Sequence, residues 1–224
     1  IDRPHVLISL LTSEAKSPTG KLTMCASNTF LFNEPHGSEP RVIHEMWDNN
    51  LHLMKFYKKI RAGETYRFSI AGSSITSAHD DDPLNEAERL TIFAKLQGRD
   101  RLVQFHNQAW DELWKSDIVI DGDEQAQQDV HSMLYHLYSF SREGTALSLS
   151  PMGLSGLGYN GHVFWDADLW MYPALLILHP EIARSMVEYR FERLEAAKRN
   201  AFSHGYKGAM FPWESAASGG EETP

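Results

Sequence analysis

The chain has 224 residues, 42% of them hydrophobic and 23% charged, an ordinary globular composition with material for a sizeable core. Its formal net charge of -9, with no dense run of Lys or Arg, excludes the electrostatic footprint of a double-stranded nucleic-acid binder. No apolar run is long enough to cross a membrane, and the single Cys25 allows no intrachain disulfide, so cysteine usage leaves the compartment open.

Taken in chain order, the first elements read as strands. Segments 5–11, 21–32, 42–60 and 65–74 are rich in Val, Ile, Leu, Thr, Phe and Tyr, and clusters such as Asn33-Glu34-Pro35-His36-Gly37-Ser38 punctuate them. Arg61-Ala62-Gly63-Glu64 has the composition of a hairpin turn. The pattern predicts a β-sandwich or part of one over residues 1–82.

After His79-Asp80-Asp81-Asp82-Pro83 the period changes to that of helices. Asn85 is a candidate N-cap for a helix running to Gln97, with Gly98 ending it. A second helix is expected over 100–114, with Leu102, Phe105, Ala109 and Leu113 on one face. Asp123 is placed to cap a third, whose apolar face is Ala126, Val130, Met133, Leu134 and Leu137. Residues 172–178 are apolar all round and predict a helix buried on every side. Pro180 opens an amphipathic helix, with Ile182, Met186, Tyr189 and Leu194 along it, that Gly205 is placed to close.

The chemistry is concentrated in Gly158-Tyr159-Asn160-Gly161-His162-Val163-Phe164-Trp165-Asp166-Ala167-Asp168-Leu169-Trp170. A sugar offers apolar C–H faces and a rim of hydroxyls, so its pocket needs aromatic rings beside carboxylates or His. Trp165 beside Asp166 supplies both. The plainer reading makes the rings core and the carboxylates helix caps. So many polar groups interleaved with aromatics fit a core poorly. A second cluster, Phe211-Pro212-Trp213-Glu214-Ser215, repeats the Trp-carboxylate pairing in a loop after a long helix, where alone it would read as a half-exposed turn. His131 and His136 are five apart, a spacing that does not put both on one helix face, and no metal site is expected. There is no phosphate loop and no Gly-x-Ser-x-Gly elbow.

Gly158-Tyr159-x-Gly161-His162-x-Phe164-Trp165-Asp166 followed by Tyr206-x-Gly208-Ala209-x-Phe211-Pro212-Trp213-Glu214-Ser215 resembles glycoside hydrolase family 65. The stretch 101–123, with His106, Ala109-Trp110, Leu113-Trp114, Asp117-Ile118 and Gly122-Asp123, is similar to that family's approach to its catalytic domain. The resemblance implies an N-terminal β-sandwich over 1–82, a helical linker over 83–116 and the first helices of an (α/α)6 barrel over 117–224. It implies an α-glucoside as ligand, bound by Tyr159, His162, Phe164, Trp165, Asp166, Asp168, Trp213 and Glu214. Trp165 and Asp166 fall at the subsite for the transferred glucose, Trp213 and Glu214 at that for the leaving sugar. The family's general acid is a Glu lying C-terminal to the second motif, beyond Pro224. The chain is therefore expected to be a segment of a larger protein that holds no catalytic residue. Alone it is expected to be inactive, and to need the rest of its polypeptide or a complementary fragment; a homodimer is left open. No metal or cofactor is implied, and inorganic phosphate enters as co-substrate only in a phosphorylase.

Phosphorylases of the family continue the first motif as Trp-Asp-Thr-Glu. This chain reads Trp165-Asp166-Ala167-Asp168-Leu169-Trp170, similar to the acid trehalases and α-glucosidases, so inverting hydrolysis of a kojibiose- or trehalose-type glucoside is expected. The alternatives are an inverting phosphorylase releasing β-glucose 1-phosphate and a non-catalytic sugar-binding protein on the same fold.

Overall fold

The computed structural model describes residues 9–35, 37–48, 51–156 and 158–223. They form two compact units, 1–110 and 111–224.

In the first unit, β1 (Leu11–Lys16), β2 (Thr23–Phe32) and β5 (Phe68–Thr76) make an antiparallel sheet in the order β1-β2-β5. β2 alternates, and its Cys25, Ser27, Thr29 and Leu31 are buried. Helix α1 (Pro83–Gln97) packs there through polar groups that satisfy one another. The Thr91 hydroxyl donates to the Ser27 carbonyl at 3.0 Å, and the Ser73 hydroxyl to the Ala87 carbonyl at 2.6 Å. Gly72 of β5 faces Asn28 of β2, where a Cβ would stand 2.2 Å from the Asn28 side-chain oxygen, so any larger residue would have to displace that side chain. Phe30 packs edge-on against Phe56 at 5.0 Å, tying the sheet to a separate hairpin of β3 (Val42–Asp48) and β4 (Leu51–Phe56).

Several expectations change here. The single strand expected over 42–60 is this hairpin, because Asp48-Asn49-Asn50 is a turn-forming sequence; residues 49–50 lie outside the described residues. Of the strand expected over 5–11, residues 5–8 also lie outside them, and β1 begins at Leu11. The Arg61–Glu64 turn forms, with the Glu64 N–H donating to the Arg61 carbonyl at 3.0 Å. It joins strands of different sheets, so it is not a hairpin turn. The N-cap of α1 is Asp82, not Asn85: Pro83 occupies the first helical position with its preset φ, and the Asp82 carboxylate accepts the Asn85 N–H at 3.3 Å. Helix α2 (Arg99–Leu113) follows Gly98 and buries none of its residues fully.

The second unit is helical, so the order of element types, strands and then helices, is the one expected. Asp123 caps α3 (Glu124–Phe140) by accepting the Ala126 N–H at 2.9 Å, and Leu134 and Tyr138 of that helix are buried. Helix α4 (Tyr172–Leu178) was expected to be buried on every side. It buries only Leu175, and Ile177 is 81% exposed, because the described packing of this short helix is against α5 and the turn Ala167–Met171 that leads into it, which leaves its other faces uncovered. The expected helix from Pro180 is two, α5 (Pro180–Glu192) and α6 (Leu194–Ser203), broken at Arg193 with φ −103° and ψ 11°. The Arg193 guanidinium lies over the Tyr189 ring, 3.8 Å from its centroid, and donates to the Tyr189 carbonyl at 3.0 Å. Gly205, with φ +79°, closes α6 as expected: Tyr206 N–H reaches the Ala201 carbonyl and Gly205 N–H the Phe202 carbonyl, a Schellman arrangement. The core of this unit includes Leu175, Ile182, Ala183, Met186, Tyr189, Ala196, Ala197 and Ala201 from α4 to α6, together with Leu134 and Tyr138 of α3 and Val163, Phe164 and Ala167.

Candidate functional site

The first aromatic-carboxylate cluster starts in a strained turn. Tyr159, Asn160 and Gly161 all have positive φ, at 56°, 51° and 74°. The left-handed region is costly for a side chain as bulky as Tyr159 and persists only where the surroundings hold it. The turn swings the Tyr159 ring onto the edge of Phe164, 5.0 Å between centroids. The chain then runs through the short strand β6 (Val163–Phe164), which pairs antiparallel with β7 (Glu214–Ser215). This two-residue ladder sets Phe164 opposite Glu214, and so joins the two clusters.

Around the ladder the rings form a chain. Trp213 meets Phe164 at 6.1 Å and Trp165 at 5.3 Å, both edge-to-face. Trp165 is 42% and Trp213 46% exposed, so each indole has packing on one side and an open surface on the other. The His162 Nδ1 lies 2.8 Å from Glu214 Oε1, bridging residues 52 positions apart. Tyr159, His162, Phe164, Trp165, Trp213 and Glu214, all predicted from the sequence, are thus brought into one cluster.

The two aspartates separate. Asp166 follows Trp165 directly, is half-buried rather than buried, and makes no side-chain cap bond to the π-helical turn that begins at Ala167. Asp168 sits inside that turn (Ala167–Met171), and both its oxygens meet the Arg190 guanidinium, Nε to Oδ1 at 3.2 Å and Nη2 to Oδ2 at 2.5 Å. Neither aspartate side chain caps a helix, although Asp166 stands at the N-cap position of that turn. Asp168 holds its turn to α5, and a π-turn beside candidate site residues is where such local strain commonly occurs. Arg190 is 9% exposed, with Phe211 and Tyr189 rings beside its guanidinium. Trp170 belongs elsewhere: with Met133, Leu137, Phe140, Met152 and Leu154 it lines an apolar groove of about 690 Å³ along α3.

Sequence reasoning missed the residues that hold the second cluster. Tyr189 Oη meets Ser215 Oγ at 2.8 Å and donates to the Ala216 carbonyl at 3.1 Å. The loop beyond β7 turns at Gly219, with φ +71°, where an added Cβ would lie 2.7 Å from Arg193 Cβ and 3.2 Å from Ala196 Cβ. Glu221 then returns beneath Trp213 and Glu214. The signals were present in the Gly219-Gly220 pair before an acidic residue and in an arginine on the buried side of the amphipathic helix α5, but neither spacing is diagnostic. Gly219→Ala is expected to destabilise the protein by about 1–2 kcal/mol, since it imposes both a left-handed alanine and a clash with a side-chain root. Thermal melting checks this; an unchanged melting temperature would mean the loop shifts without cost.

Residues 131–224 match the glycosyl hydrolase family 65 central catalytic domain. The chain is 71% identical over 224 residues to a kojibiose hydrolase of Mucilaginibacter mallensis, a match covering 100% of this chain and 33% of that protein. It is 61% identical over the same 224 residues to a kojibiose hydrolase of Flavobacterium johnsoniae, again 33% of its length. A kojibiose phosphorylase of Thermoanaerobacter brockii is 43% identical over 130 residues, 57% of this chain and 17% of that one. The chain thus spans about a third of the length of the two hydrolases it matches. A solved structure of a human-microbiome protein assigned as a kojibiose phosphorylase superposes with a TM-score of 0.67 over 96% of this chain and 28% of its own, at 20% identity, which speaks for the fold alone.

Proposed function

We propose that the chain is a segment of a glycoside hydrolase family 65 protein, that this protein hydrolyses an α-linked glucoside with inversion, and that kojibiose is its substrate; the match of residues 131–224 to the family's catalytic domain and the 71% and 61% identity to two kojibiose hydrolases support the reading. One observation carries the proposal: the β6–β7 ladder brings two Trp-carboxylate pairs, Trp165-Asp166 and Trp213-Glu214, into one cluster with half-exposed rings. Indoles cover the apolar faces of sugar rings, and carboxylates accept from their hydroxyls. Two such pairs suit the two sugar units of a disaccharide. Trp165 and Asp166, with Tyr159, His162 and Phe164, serve the glucose that is transferred; Trp213 and Glu214 serve the leaving sugar. Asp168 contributes by holding the turn that follows Asp166.

Inverting hydrolysis needs one carboxylic acid to protonate the leaving oxygen and a second carboxylate to activate water on the opposite face, about 6.5–9.5 Å away. The resemblance to the family implies that acid and base lie C-terminal to the second motif and are supplied from outside this chain. In domain terms, residues 1–82 contribute to a β-sandwich, 83–116 to a helical linker, and 117–224 to the start of an (α/α)6 barrel. The match of 131–224 to the family's catalytic domain and the fold likeness support this division. Hydrolysis is favoured over phosphorolysis by the two hydrolase relatives, which are more similar than the phosphorylase.

The test is to incubate the full-length protein with kojibiose, with and without phosphate, and to follow the anomeric protons by NMR. The expected first product is β-glucose, at a rate independent of phosphate. Phosphate-dependent release of β-glucose 1-phosphate would instead make the protein a phosphorylase. Binding of kojibiose without turnover would leave only the sugar-binding reading.

A further inference from the structure

Glu214 opens the two-residue strand β7 and Trp213 lies just before it, and two-residue ladders position side chains poorly by themselves. A third segment supplies the constraint. The loop 216–220 reverses the chain, and Glu221 pairs with Ser215 as an isolated bridge. Glu221 Oε2 accepts the Trp213 N–H at 2.8 Å, and Oε1 accepts the Glu214 N–H at 3.0 Å. The Glu222 N–H donates to the Glu214 carbonyl at 3.1 Å, which fixes the next peptide, between Glu214 and Ser215. One carboxylate therefore holds the successive amides of both residues of the second Trp-carboxylate pair. Burial pushes the Glu221 carboxyl up, but the amides of Glu214, Trp213 and Thr223 outweigh it and keep the group below the usual carboxylate range. It is thus a charged acceptor, whose hydrogen bonds are shorter and stronger than neutral ones.

We propose that Glu221 is a positioning residue for the leaving sugar: through the amides of Trp213 and Glu214 it sets the angle at which that indole and that carboxylate meet the second sugar unit. The inference rests on the reading of Trp213 and Glu214 as contacts of that unit. Apart from the adjacent Thr223 N–H and the Ser215 bridge, its contacts among the described residues are with the second pair, so its influence falls first on the leaving-sugar side and reaches the Trp165 side only indirectly, through the Trp213–Trp165 and His162–Glu214 contacts.

Two substrates separate this role from a merely structural one. Kojibiose carries a second glucose, whereas α-glucosyl fluoride has the same transferred glucose and a fluoride ion as leaving group. In the full-length protein, Glu221→Gln replaces one acceptor oxygen by an amino group that faces an N–H. It is expected to lower kcat/KM on kojibiose about tenfold, chiefly through KM, while α-glucosyl fluoride stays within about twofold of wild type. Glu222→Gln, whose carboxylate meets the Ser218 hydroxyl and no backbone amide of the second pair among the described residues, should leave both unchanged. Should Glu221→Gln fail to fold, Glu221→Asp carries the same comparison, since it keeps the charge and draws the carboxylate back by one methylene. Equal losses on both substrates, or no loss on either, would overturn the proposal. A wild-type protein that acts on α-glucosyl fluoride but not on kojibiose, or on neither, would instead remove the reading of the site on which the proposal stands.

Discussion

Asp166→Asn is expected to lower kcat/KM on an α-glucoside by at least about a hundredfold, equivalent to roughly 2.7 kcal/mol of transition-state stabilisation, with little change in melting temperature. Asp166 is half-buried beside an indole and makes no cap bond to the turn it precedes, so its carboxylate is available to a ligand. Hydrogen bonds from hydroxyls to a charged acceptor are worth about 1.5–3 kcal/mol each, and one carboxylate can take two from a single glucose. Asparagine keeps the shape but removes the charge and turns one acceptor into a donor. A substrate hydroxyl left desolvated and unpaired is where most of the discrimination between sugars arises. Steady-state kinetics on the full-length protein, with melting as a check on folding, decides the matter. Near-normal kcat/KM in this variant would mean the glucose subsite has been assigned to the wrong residues.

Asp168→Ala should show the opposite pattern, losing about 2–3 kcal/mol of folding stability. Its partner Arg190 is 9% exposed, and the variant would strand that guanidinium without a countercharge. Removing one partner of a buried ion pair costs about 3–5 kcal/mol. The lower figure applies because the Asp168 side chain is 36% exposed and water screens the pair in part. The Arg190 Nη1 already lacks a hydrogen-bond partner among the described residues, so little else nearby can absorb the charge. The double variant Asp168→Leu with Arg190→Met removes both charges together and is expected to recover part of the loss. Denaturant titration of the single and double variants is the measurement. If the single variant is as stable as wild type, the pair is ornamental, and the turn behind Asp166 is held by something else. The contrast between the two aspartates is sharp because they are neighbours but for one residue: one should affect turnover, the other folding.

The two clusters themselves were legible in the chain because each is local. Aromatic rings beside carboxylates within a few residues can be recognised without knowing where the chain goes. What could not be read was the division of labour inside them. Helix-cap chemistry, which both Asp166 and Asp168 invite, does not tell them apart: the deciding partner for Asp168 is an arginine 22 residues away on α5. Glu221 was passed over for a similar reason. Its role is to hold backbone amides, and a carboxylate that bonds amides has no sequence signature of its own.

The sequence by itself determined the local features: the order of strands before helices, Asp123 as the cap of α3, Gly205 as the left-handed residue that ends α6, and the two Trp-carboxylate pairs. These depend on dihedral preferences and hydrogen bonds that span four or five residues, so composition and spacing encode them. Only the tertiary structure decided that residues 42–60 fold back as a hairpin, that α4 buries a single residue, and that the helix after Pro180 breaks at Arg193. It alone joined His162 to Glu214, Asp168 to Arg190, and Glu221 to the amides of Trp213 and Glu214. Each of these depends on where distant segments meet once the chain has reversed. That is set by the summed packing of Tyr189, Ser215, Gly219 and Arg193, not by any one stretch of residues.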